Sequence, residues 1–222
     1  VHSSLRTNGK YTITKSFTPV LLVVNCRSLK NKIDEFTILL ETVKAQIVMG
    51  TESWLDDTVS DVEIFPPGFT VYRKDRNRHG GGVFLLISSS LASEEVVFDN
   101  ETESVWCRVQ FPQGNHIVFG SFYRPRDHNN EHLIQLSDML SQISDCVILG
   151  GDFNLPDMKW DSDCVAPQKN RNCSAFSELM SVYGLQQYVN EPTRCNALLD
   201  LLLSNDENVI VHTNVCPGIS DH

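Results

Sequence analysis

The stretch that decides the fold is Cys146-Val147-Ile148-Leu149-Gly150-Gly151-Asp152-Phe153-Asn154. Its first four residues form an uninterrupted apolar run, which is typical of a strand buried on both faces. Two glycines follow and permit close approach of the backbone, and they lead to an aspartate and an asparagine two residues apart. A tight turn can bring both polar side chains to one site, and an ordinary Gly-Asp turn is the less favoured alternative. The stretch predicts a buried strand that ends in polar groups with a chemical role.

Other apolar runs also have polar residues at their ends. These pairs are Val20–Val24 with Asn25, Ile47–Met49 with Glu52, and Leu201–Leu203 with Asp200, and the chain closes on Asp221 and His222. In α/β architectures, ligand sites gather at strand ends, where a rigid sheet presents side chains on short loops. Taken singly, Asn25 could cap a turn and Glu52 could be an exposed loop acid. Together, the carboxylates and carboxamides predict an all-oxygen site suited to a hard cation such as Mg²⁺.

The remaining sequence alternates short apolar runs with helical patterns. Apolar residues at helical spacing predict helices over 28–44, 131–143 and 174–183, the last followed by Gly184 as a left-handed cap. Further strands are predicted at 83–87, 105–109, 116–122, 199–203 and 209–212. Gly80-Gly81-Gly82 is interpreted as a tight turn entering the strand at 83–87, because no Gly-Lys-Ser/Thr follows it. Many connections are short enough for hairpins, so the sheets are expected to be mixed.

The formal net charge of −10 argues against binding nucleic acid through bulk electrostatics. Exposed charges more than about 8 Å apart are largely screened at physiological salt, so the local distribution of charge matters more than the total. The one distinctly basic stretch is Tyr72–His79, which is interpreted either as a solvated loop or as a phosphate contact.

The seven cysteines are odd in number, and none forms a Cys-x-x-Cys pair, so we expect a reducing compartment and neither a disulfide framework nor a structural zinc site. The N-terminus has no apolar segment typical of a signal peptide. The apolar runs are about five residues long, against the ~20 that a spanning helix needs, so no membrane association is expected.

Taken together and in this order, the polar motifs resemble the endonuclease/exonuclease/phosphatase superfamily, which includes DNase I and the abasic-site endonucleases. The matching motifs are Val24-Asn25, Thr51-Glu52-Ser53-Trp54-Leu55, Tyr123-Arg124-Pro125, Gly150-Gly151-Asp152-Phe153-Asn154, Asp200 and Ser220-Asp221-His222. Four further stretches look like the endonuclease domain of non-LTR retrotransposons. They are Gly80-Gly81-Gly82-Val83, Ser121–Pro125, Glu191-Pro192-Thr193-Arg194 and Leu199–Leu203.

The resemblance implies an α/β fold, a four-layer α/β sandwich in which two packed mixed β-sheets are flanked by helices, as in DNase I. Residues 1–222 are expected to form a single domain. In this superfamily a further strand follows the Ser-Asp-His motif, so we expect a C-terminally truncated fragment of a longer protein that lacks its last strand.

The resemblance also implies the roles of the site residues. The expected metal ligands are Glu52, Asn25 and Asp221; the expected catalytic residues are Asp152, Asn154, His222, Tyr123, Asp200 and Asn25; and the expected substrate-binding residues are Arg124, Thr193, Ser220, Arg73, Arg76 and Arg78. Asp152 would orient or deprotonate the attacking water, and Asp200 would orient His222. Arg126 and residues 169–171 are further candidates for DNA contacts. The implied cofactor is Mg²⁺, with Mn²⁺ as an alternative.

The implied function is nicking of double-stranded DNA to leave a 3′-hydroxyl for target-primed reverse transcription. A reverse transcriptase on the same full-length polypeptide and a nuclear location are expected from that role. Two alternatives stay open: a phosphodiesterase or phosphatase of the same superfamily acting on a lipid or an RNA, and a catalytically inactive retroelement remnant.

Overall fold

The computed structural model describes residues 18–126, 130–160 and 170–220. Within these ranges the strands are β1 (Leu21–Asn25), β2 (Ile47–Thr51), β3 (Phe69–Lys74), β4 (Val83–Ser88), β5 (Ala92–Glu95), β6 (Glu103–Gln110), β7 (His116–Tyr123), β8 (Cys146–Asp152), β9 (Gln186–Gln187) and β10 (Asp200–Ser204). The helices are α1 (Ile33–Val43), α2 (Asp61–Ile64), α3 (Glu131–Leu140) and α4 (Arg171–Val182).

The described strands form two sheets. One has the order β1-β2-β4-β3, and the other has the order β5-β6-β7-β8-β10-β9. Each sheet contains one parallel pair, β1 with β2 and β7 with β8, while the other pairs are antiparallel. The expectation of mixed sheets is therefore confirmed.

The sheets pack face to face, and helices cover their outer faces. Along β2, Ile47 and Met49 point into the core between the sheets, whereas Val48 points outward to the layer of α1. This alternation follows from the two-residue period of a strand. On the other sheet, Ile148 faces the inter-sheet core, and Leu149 faces the layer of α3 and α4. The predicted four-layer sandwich is thus confirmed.

The first helix is shorter than predicted. The pattern predicted a helix over 28–44, but α1 begins at Ile33. Arg27 and Ser28 have positive φ angles of 42° and 75°, so the backbone just before this segment is not right-handed helix. Lys44 ends the helix in the left-handed conformation. The apolar spacing located the buried face, but the backbone before the helix follows the loop leaving β1.

The other helices differ from prediction mainly at their ends. α3 ends at Leu140 rather than 143, and α4 begins at Arg171 rather than 174. The earlier start of α4 is capped by Asn170, whose side chain accepts a hydrogen bond from the backbone N–H of Asn172. Gly184 has a φ of 61°, as predicted for a left-handed position after this helix.

The predicted strand at 209–212 is wrong. Those residues have no regular structure, and Val211 is exposed, so its apolar side chain does not pack into a sheet. The patterns also missed β3, β5 and β9, each of which lies at an edge of its sheet. Edge strands commonly carry charged residues that discourage pairing with other chains, so they lack the apolar run that reveals a central strand.

Within the described part of the chain, no helix combines the length and apolar character needed to cross a membrane.

A substitution at Gly151 tests whether the close approach of β7 and β8 requires glycine. A Cβ atom here would lie 2.0 Å from the Phe122 carbonyl oxygen, and the φ of Gly151 is +140°. Because both crowding and backbone strain arise, we expect Gly151→Ala to lower the free energy of unfolding by about 3 kcal/mol or more. Urea denaturation at constant m-value measures the change.

Gly114→Ala is the matched control. Gly114 also has a positive φ, +88°, but no described atom lies within 4 Å of the position of an added Cβ. Only backbone strain should arise, so we expect a loss of about 1 kcal/mol. Equal losses for both variants would show that the close approach at Gly151 does not limit stability.

Candidate active site

The predicted site residues come together at the ends of the central strands. Tyr123, the last residue of β7, is paired with Asp152, the last residue of β8. Asp152 is also paired with Asp200, the first residue of β10. Side chains of paired residues on adjacent strands point to the same face of a sheet, so these three form a row across the six-stranded sheet.

Asn25 links this row to the other sheet. Its Nδ2 donates to Asp152 Oδ2 at 2.9 Å and to Glu52 Oε1 at 3.2 Å. Asn25 and Asp152 are buried, with 3% and 0% of their surfaces exposed. Asn25 Oδ1 is also buried but has no hydrogen-bond partner among the described residues. One buried amide thus joins two carboxylates and leaves an oxygen for another ligand.

Glu52 lies in a loop with an uncommon backbone. Glu52 and Trp54 have positive φ angles of 52° and 55°. Non-glycine residues occupy this left-handed region at a cost of roughly 1–2 kcal/mol each. The indole Nε1 of Trp54 donates to Glu52 Oε2 at 3.2 Å, so both carboxylate oxygens of Glu52 accept hydrogen bonds. The loop therefore presents the Glu52 carboxylate in a fixed orientation.

Asp152 and Asn154 are held by the turn that follows β8. The backbone N–H of Asn154 donates to Asp152 Oδ1 at 3.0 Å, and Asn154 has a φ of 48°. Its Nδ2 donates to the Arg124 carbonyl oxygen at 2.8 Å, and its Oδ1 accepts from Arg126 Nε at 2.9 Å. Asn154 is nearly buried, so these contacts fix its amide at the rim of the site.

The Tyr123 side chain remains protonated at neutral pH. Burial raises the pKa of its phenol well above the usual value of 10, and the negative charges of Glu52 and Asp152 raise it further. The guanidinium of Arg76, whose carbon lies 5.8 Å from the centre of the Tyr123 ring, acts in the opposite direction on the pKa. Tyr123 can therefore donate a hydrogen bond to an anion.

The donor atoms fit a hard divalent cation. Among the described residues, no cluster of three or more His, Cys, Asp and Glu side chains can hold a metal ion. The described oxygen donors are instead the carboxylates of Glu52 and Asp152 and the unpartnered Oδ1 of Asn25. Oxygen ligands of this kind suit Mg²⁺. Asp221 and His222, the other predicted members of the site, lie outside the described residues.

Two predicted substrate-binding residues have partners within the protein. Thr193 Oγ1 accepts hydrogen bonds from the backbone N–H groups of Leu199 and Asp200, at 3.1 and 3.0 Å. Ser220 Oγ donates to the Asn25 carbonyl oxygen at 2.7 Å. Both residues therefore support the backbone next to the site, and their role toward a substrate stays a prediction.

The basic stretch is neutralised by nearby acids. Arg73 pairs with Asp61 and Asp75, Arg76 with Glu103, and Arg78 with Asp56. Arg124 differs from these three because only 1% of its surface is exposed and its Nη1 donates to the Asn154 carbonyl oxygen at 3.3 Å. Binding of DNA by these arginines stays a prediction.

A cavity of about 380 Å³ adjoins Asn154. Its polar lining residues are Arg124, Arg126, Arg194, Asn154, Asp157, Asn170 and Asn172. Asn170 lies in the segment 169–171 that the sequence suggested for DNA contacts, whereas the sequence predicted no site role for Asn172 or Arg194, although Arg194 closes one of the motifs that carried the resemblance. Residues 170 and 172 begin a helix, and nothing in their spacing relates them to strand ends far away in the sequence.

A larger cavity of about 600 Å³ lies beside the free edge of β1. Most of its lining is apolar side chains from β1 and from residues 209–216, and it reaches Asn25 and Asp200 at one end. The candidate site thus adjoins two cavities, one with arginine and asparagine side chains in its lining and one beside β1.

Residues 117–222 match the model of a family described as endonuclease-reverse transcriptase. No curated protein matches the chain in sequence. Among solved structures, the endonuclease domain of TRAS1, a telomere-specific non-LTR retrotransposon, is similar with a TM-score of 0.65 and 17% identity over 82% of each chain.

Two other solved structures extend the comparison. The catalytic domain of Xenopus laevis APE2 has a TM-score of 0.59 and 14% identity, over 85% of this chain and 83% of that one. An endonuclease/exonuclease/phosphatase family protein from Leptotrichia buccalis has a TM-score of 0.56 and 16% identity, over 84% and 87%. The chain has the DNase I-like fold, and its predicted resemblance to the endonuclease/exonuclease/phosphatase superfamily, with a non-LTR retrotransposon endonuclease among the similar structures, is confirmed.

Proposed function

We propose that the chain is a Mg²⁺-dependent endonuclease that nicks double-stranded DNA and leaves a 3′-hydroxyl end. The observation that carries this proposal is the buried contact of the Asn25 amide with the carboxylates of Glu52 and Asp152, with Asn25 Oδ1 left unpartnered. The match of residues 117–222 to an endonuclease-reverse transcriptase family supports DNA as the substrate.

Glu52 would be the principal metal ligand, assisted by Asn25 and Asp221, with Mn²⁺ as an alternative to Mg²⁺. When bound, the cation supplies stabilisation of the charge on the phosphoryl oxygens and lowers the pKa of water. The half-buried Glu52 carboxylate is already oriented by Trp54 and Asn25, so little side-chain ordering is needed on binding.

Asp152 orients the attacking water and accepts its proton. The carboxylate is held by Asn25 Nδ2 and by the backbone N–H of Asn154, so its geometry is set before substrate arrives. Asn154 holds the water or the phosphate in line, and its amide is fixed by Arg124 and Arg126. Arg126 is exposed beside Asn154, which places a cation where a phosphate would approach.

Tyr123 and His222 would contact the phosphate itself. Tyr123 donates a hydrogen bond from its neutral phenol to a phosphate oxygen or to the leaving oxygen. His222 contacts the non-bridging oxygens, and Asp200 orients it and favours its protonated form. The row formed by Tyr123, Asp152 and Asp200 across β7, β8 and β10 supports this division of roles.

The DNA strand next to the cut would lie over the cavity of about 380 Å³ beside Asn154. Three arginines, Arg124, Arg126 and Arg194, line this cavity, and Arg126 is exposed there. A reverse transcriptase on the same polypeptide would extend the 3′-hydroxyl, and we expect this reaction to occur in the nucleus.

Asp152→Asn keeps the size of the side chain but removes its charge. The variant lacks the negative charge of the Asp152 carboxylate and cannot accept a proton from water. We therefore expect the rate of Mg²⁺-dependent nicking to fall by about 10³-fold or more. Relaxation of supercoiled plasmid measures the rate, and EDTA should abolish it in the wild type.

Asp138→Asn, an exposed acid on α3, is the matched control and should nick at the wild-type rate. A nicking rate for Asp152→Asn within about tenfold of the wild-type rate would show that Asp152 does not act in the catalytic step.

Tyr123→Phe tests the phenol as a donor. We expect the nicking rate to fall by roughly 10- to 100-fold, which corresponds to one hydrogen bond to a charged group. Because burial raises the pKa of Tyr123, its phenol keeps its proton at alkaline pH, where an exposed tyrosine would ionise. The ratio of wild-type to variant rates should therefore stay constant between pH 7 and pH 10.

A ratio that falls toward one as the pH approaches 10 would mean that the phenol ionises, in contradiction to this role. The fold of each preparation should be checked by circular dichroism at both pH values.

A second candidate function is hydrolysis of another phosphoester, such as a lipid or RNA substrate. The net charge of −10 and the pairing of Arg73, Arg76 and Arg78 with carboxylates favour it. A substrate panel separates the two, because only a nuclease relaxes supercoiled plasmid. Activity on phosphomonoesters or phospholipids with intact plasmid would favour the second candidate, and inactivity on all substrates would favour a retroelement remnant.

A further inference from the structure

Arg76 and the triple glycine form one hydrogen-bonded unit with Glu103, here called the glycine latch (Arg76, Gly80–Gly82 and Glu103). Arg76 Nη1 donates to Glu103 Oε1 at 2.7 Å, and Arg76 Nε donates to the Gly80 carbonyl oxygen at 2.9 Å. Glu103 Oε2 accepts from the backbone N–H of Gly82 at 2.6 Å. The sequence alone had suggested a turn and a separate phosphate contact.

We infer that the glycine latch sets the geometry of Glu52, so that Arg76 is a positioning residue for the metal ligand and does not bind DNA. The inference rests on the proposed function for its meaning, because it concerns the same site. The part of the inference that concerns structure, namely that the latch supports the Glu52 loop, does not depend on what the site binds.

The latch is joined to the Glu52 loop by backbone hydrogen bonds. The N–H of Trp54 donates to the Gly81 carbonyl oxygen at 3.0 Å, and the N–H of Ser53 donates to the Gly82 carbonyl oxygen at 3.2 Å. Trp54 in turn donates from its indole to Glu52 Oε2. A continuous chain of contacts therefore runs from the latch to the carboxylate.

The loop needs such support because its backbone is strained. Glu52 and Trp54 both occupy the left-handed region, which non-glycine residues hold only where surrounding structure determines their conformation. The carbonyl oxygens of Gly81 and Gly82 accept hydrogen bonds from Trp54 and from Ser53, the residue between the strained pair. Loss of the latch would let the loop relax and move the Glu52 carboxylate.

Side chains are excluded from the latch by close contacts. A Cβ atom on Gly81 would lie 2.2 Å from Glu103 Oε2 and 2.5 Å from Arg76 Cζ. A Cβ on Gly82 would lie 2.5 Å from Ser53 Oγ. The φ angles of Gly81 and Gly82 are +67° and +83°, which also favour glycine. Glycine at positions 81 and 82 therefore leaves the space that Arg76, Glu103 and the Glu52 loop occupy.

The charges of Glu103 and Arg76 also support a positioning role for Arg76. Glu103 is nearly buried, and removing the partner of a buried carboxylate leaves an uncompensated charge. Arg76 uses Nη1 for Glu103 and Nε for Gly80, and it also lies over the Tyr123 ring. These contacts use Nη1 and Nε of the guanidinium, so a DNA phosphate could take these two donors only by breaking them.

The test compares Arg76→Ala with Arg108→Ala. Arg108 is a matched control because it also forms ion pairs with acids, in its case Glu94 and Asp145, and its side chain is 40% exposed against 39% for Arg76. Hydrogen exchange of the Ser53 and Trp54 backbone amides reports directly on the loop and does not require activity. Nicking assays add the Mg²⁺ concentration for half-maximal rate and the KM for DNA.

For Arg76→Ala we expect exchange at the Trp54 amide to accelerate by about tenfold or more, while amides of β8 keep their protection. The Mg²⁺ concentration for half-maximal nicking should rise by about tenfold, as is usual when a residue behind a metal ligand is lost. The KM for DNA and its salt dependence should stay unchanged. Arg108→Ala should alter neither the exchange nor the Mg²⁺ requirement.

Two further variants keep the test decisive if Arg76→Ala does not fold. Arg76→Lys can restore the contact with Glu103 but not the second one with Gly80, so intermediate exchange at Trp54 is expected. Glu103→Gln removes the charge with little change of shape and should also accelerate that exchange.

The inference is overturned if Arg76→Ala leaves the Trp54 exchange and the Mg²⁺ requirement unchanged but raises the KM for DNA and lowers its salt dependence. That result would make Arg76 a phosphate contact. If the wild type nicks no DNA, the proposed function fails, while the exchange experiment still decides whether the latch supports the Glu52 loop.

Discussion

The contact on which the site depends is the buried amide of Asn25 between the carboxylates of Glu52 and Asp152. A fully buried carboxylate such as Asp152 costs several kcal/mol to desolvate. Each hydrogen bond to a charged group returns roughly 1.5–3 kcal/mol, so the two from Asn25 and Asn154 offset much of that cost. Asn25 belongs to one sheet and Asp152 to the other, so this compensation requires the sheets to meet at a fixed separation.

Small residues and one hydroxyl set that separation. A Cβ atom on Gly150 would lie 2.8 Å from both Met49 Sδ and Val23 Cγ2 of the facing sheet, so glycine allows the close approach. Ser121 Oγ donates to the Gly50 carbonyl oxygen at 2.9 Å, which adds a direct hydrogen bond between the sheets. The glycines at the end of β8 therefore serve the packing of the two sheets as well as the turn into Asn154.

Backbone strain and paired charges are concentrated around the same site. Glu52, Trp54 and Asn154 all have positive φ angles, and each is held by hydrogen bonds from other segments. The positive charges of Arg73, Arg76 and Arg78 are likewise used within the protein, because each of these arginines forms an ion pair with an acid of this chain. In a protein with a net charge of −10, these three arginines therefore add little net positive charge to the surface.

The sequence by itself determined the central strands, the buried faces of the helices, the mixed sheets and the collection of Asn25, Glu52, Asp152 and Asp200 at strand ends. These features follow from periodicity and from apolar runs, which are local. Tertiary structure alone decided that residues 209–212 form no strand, that β3 and β5 join the sheet edges, and that Arg76 turns toward Glu103. It also decided that Asn25 bonds to Asp152, 127 residues away. No local pattern encodes such partners, because they are fixed by how the two sheets pack.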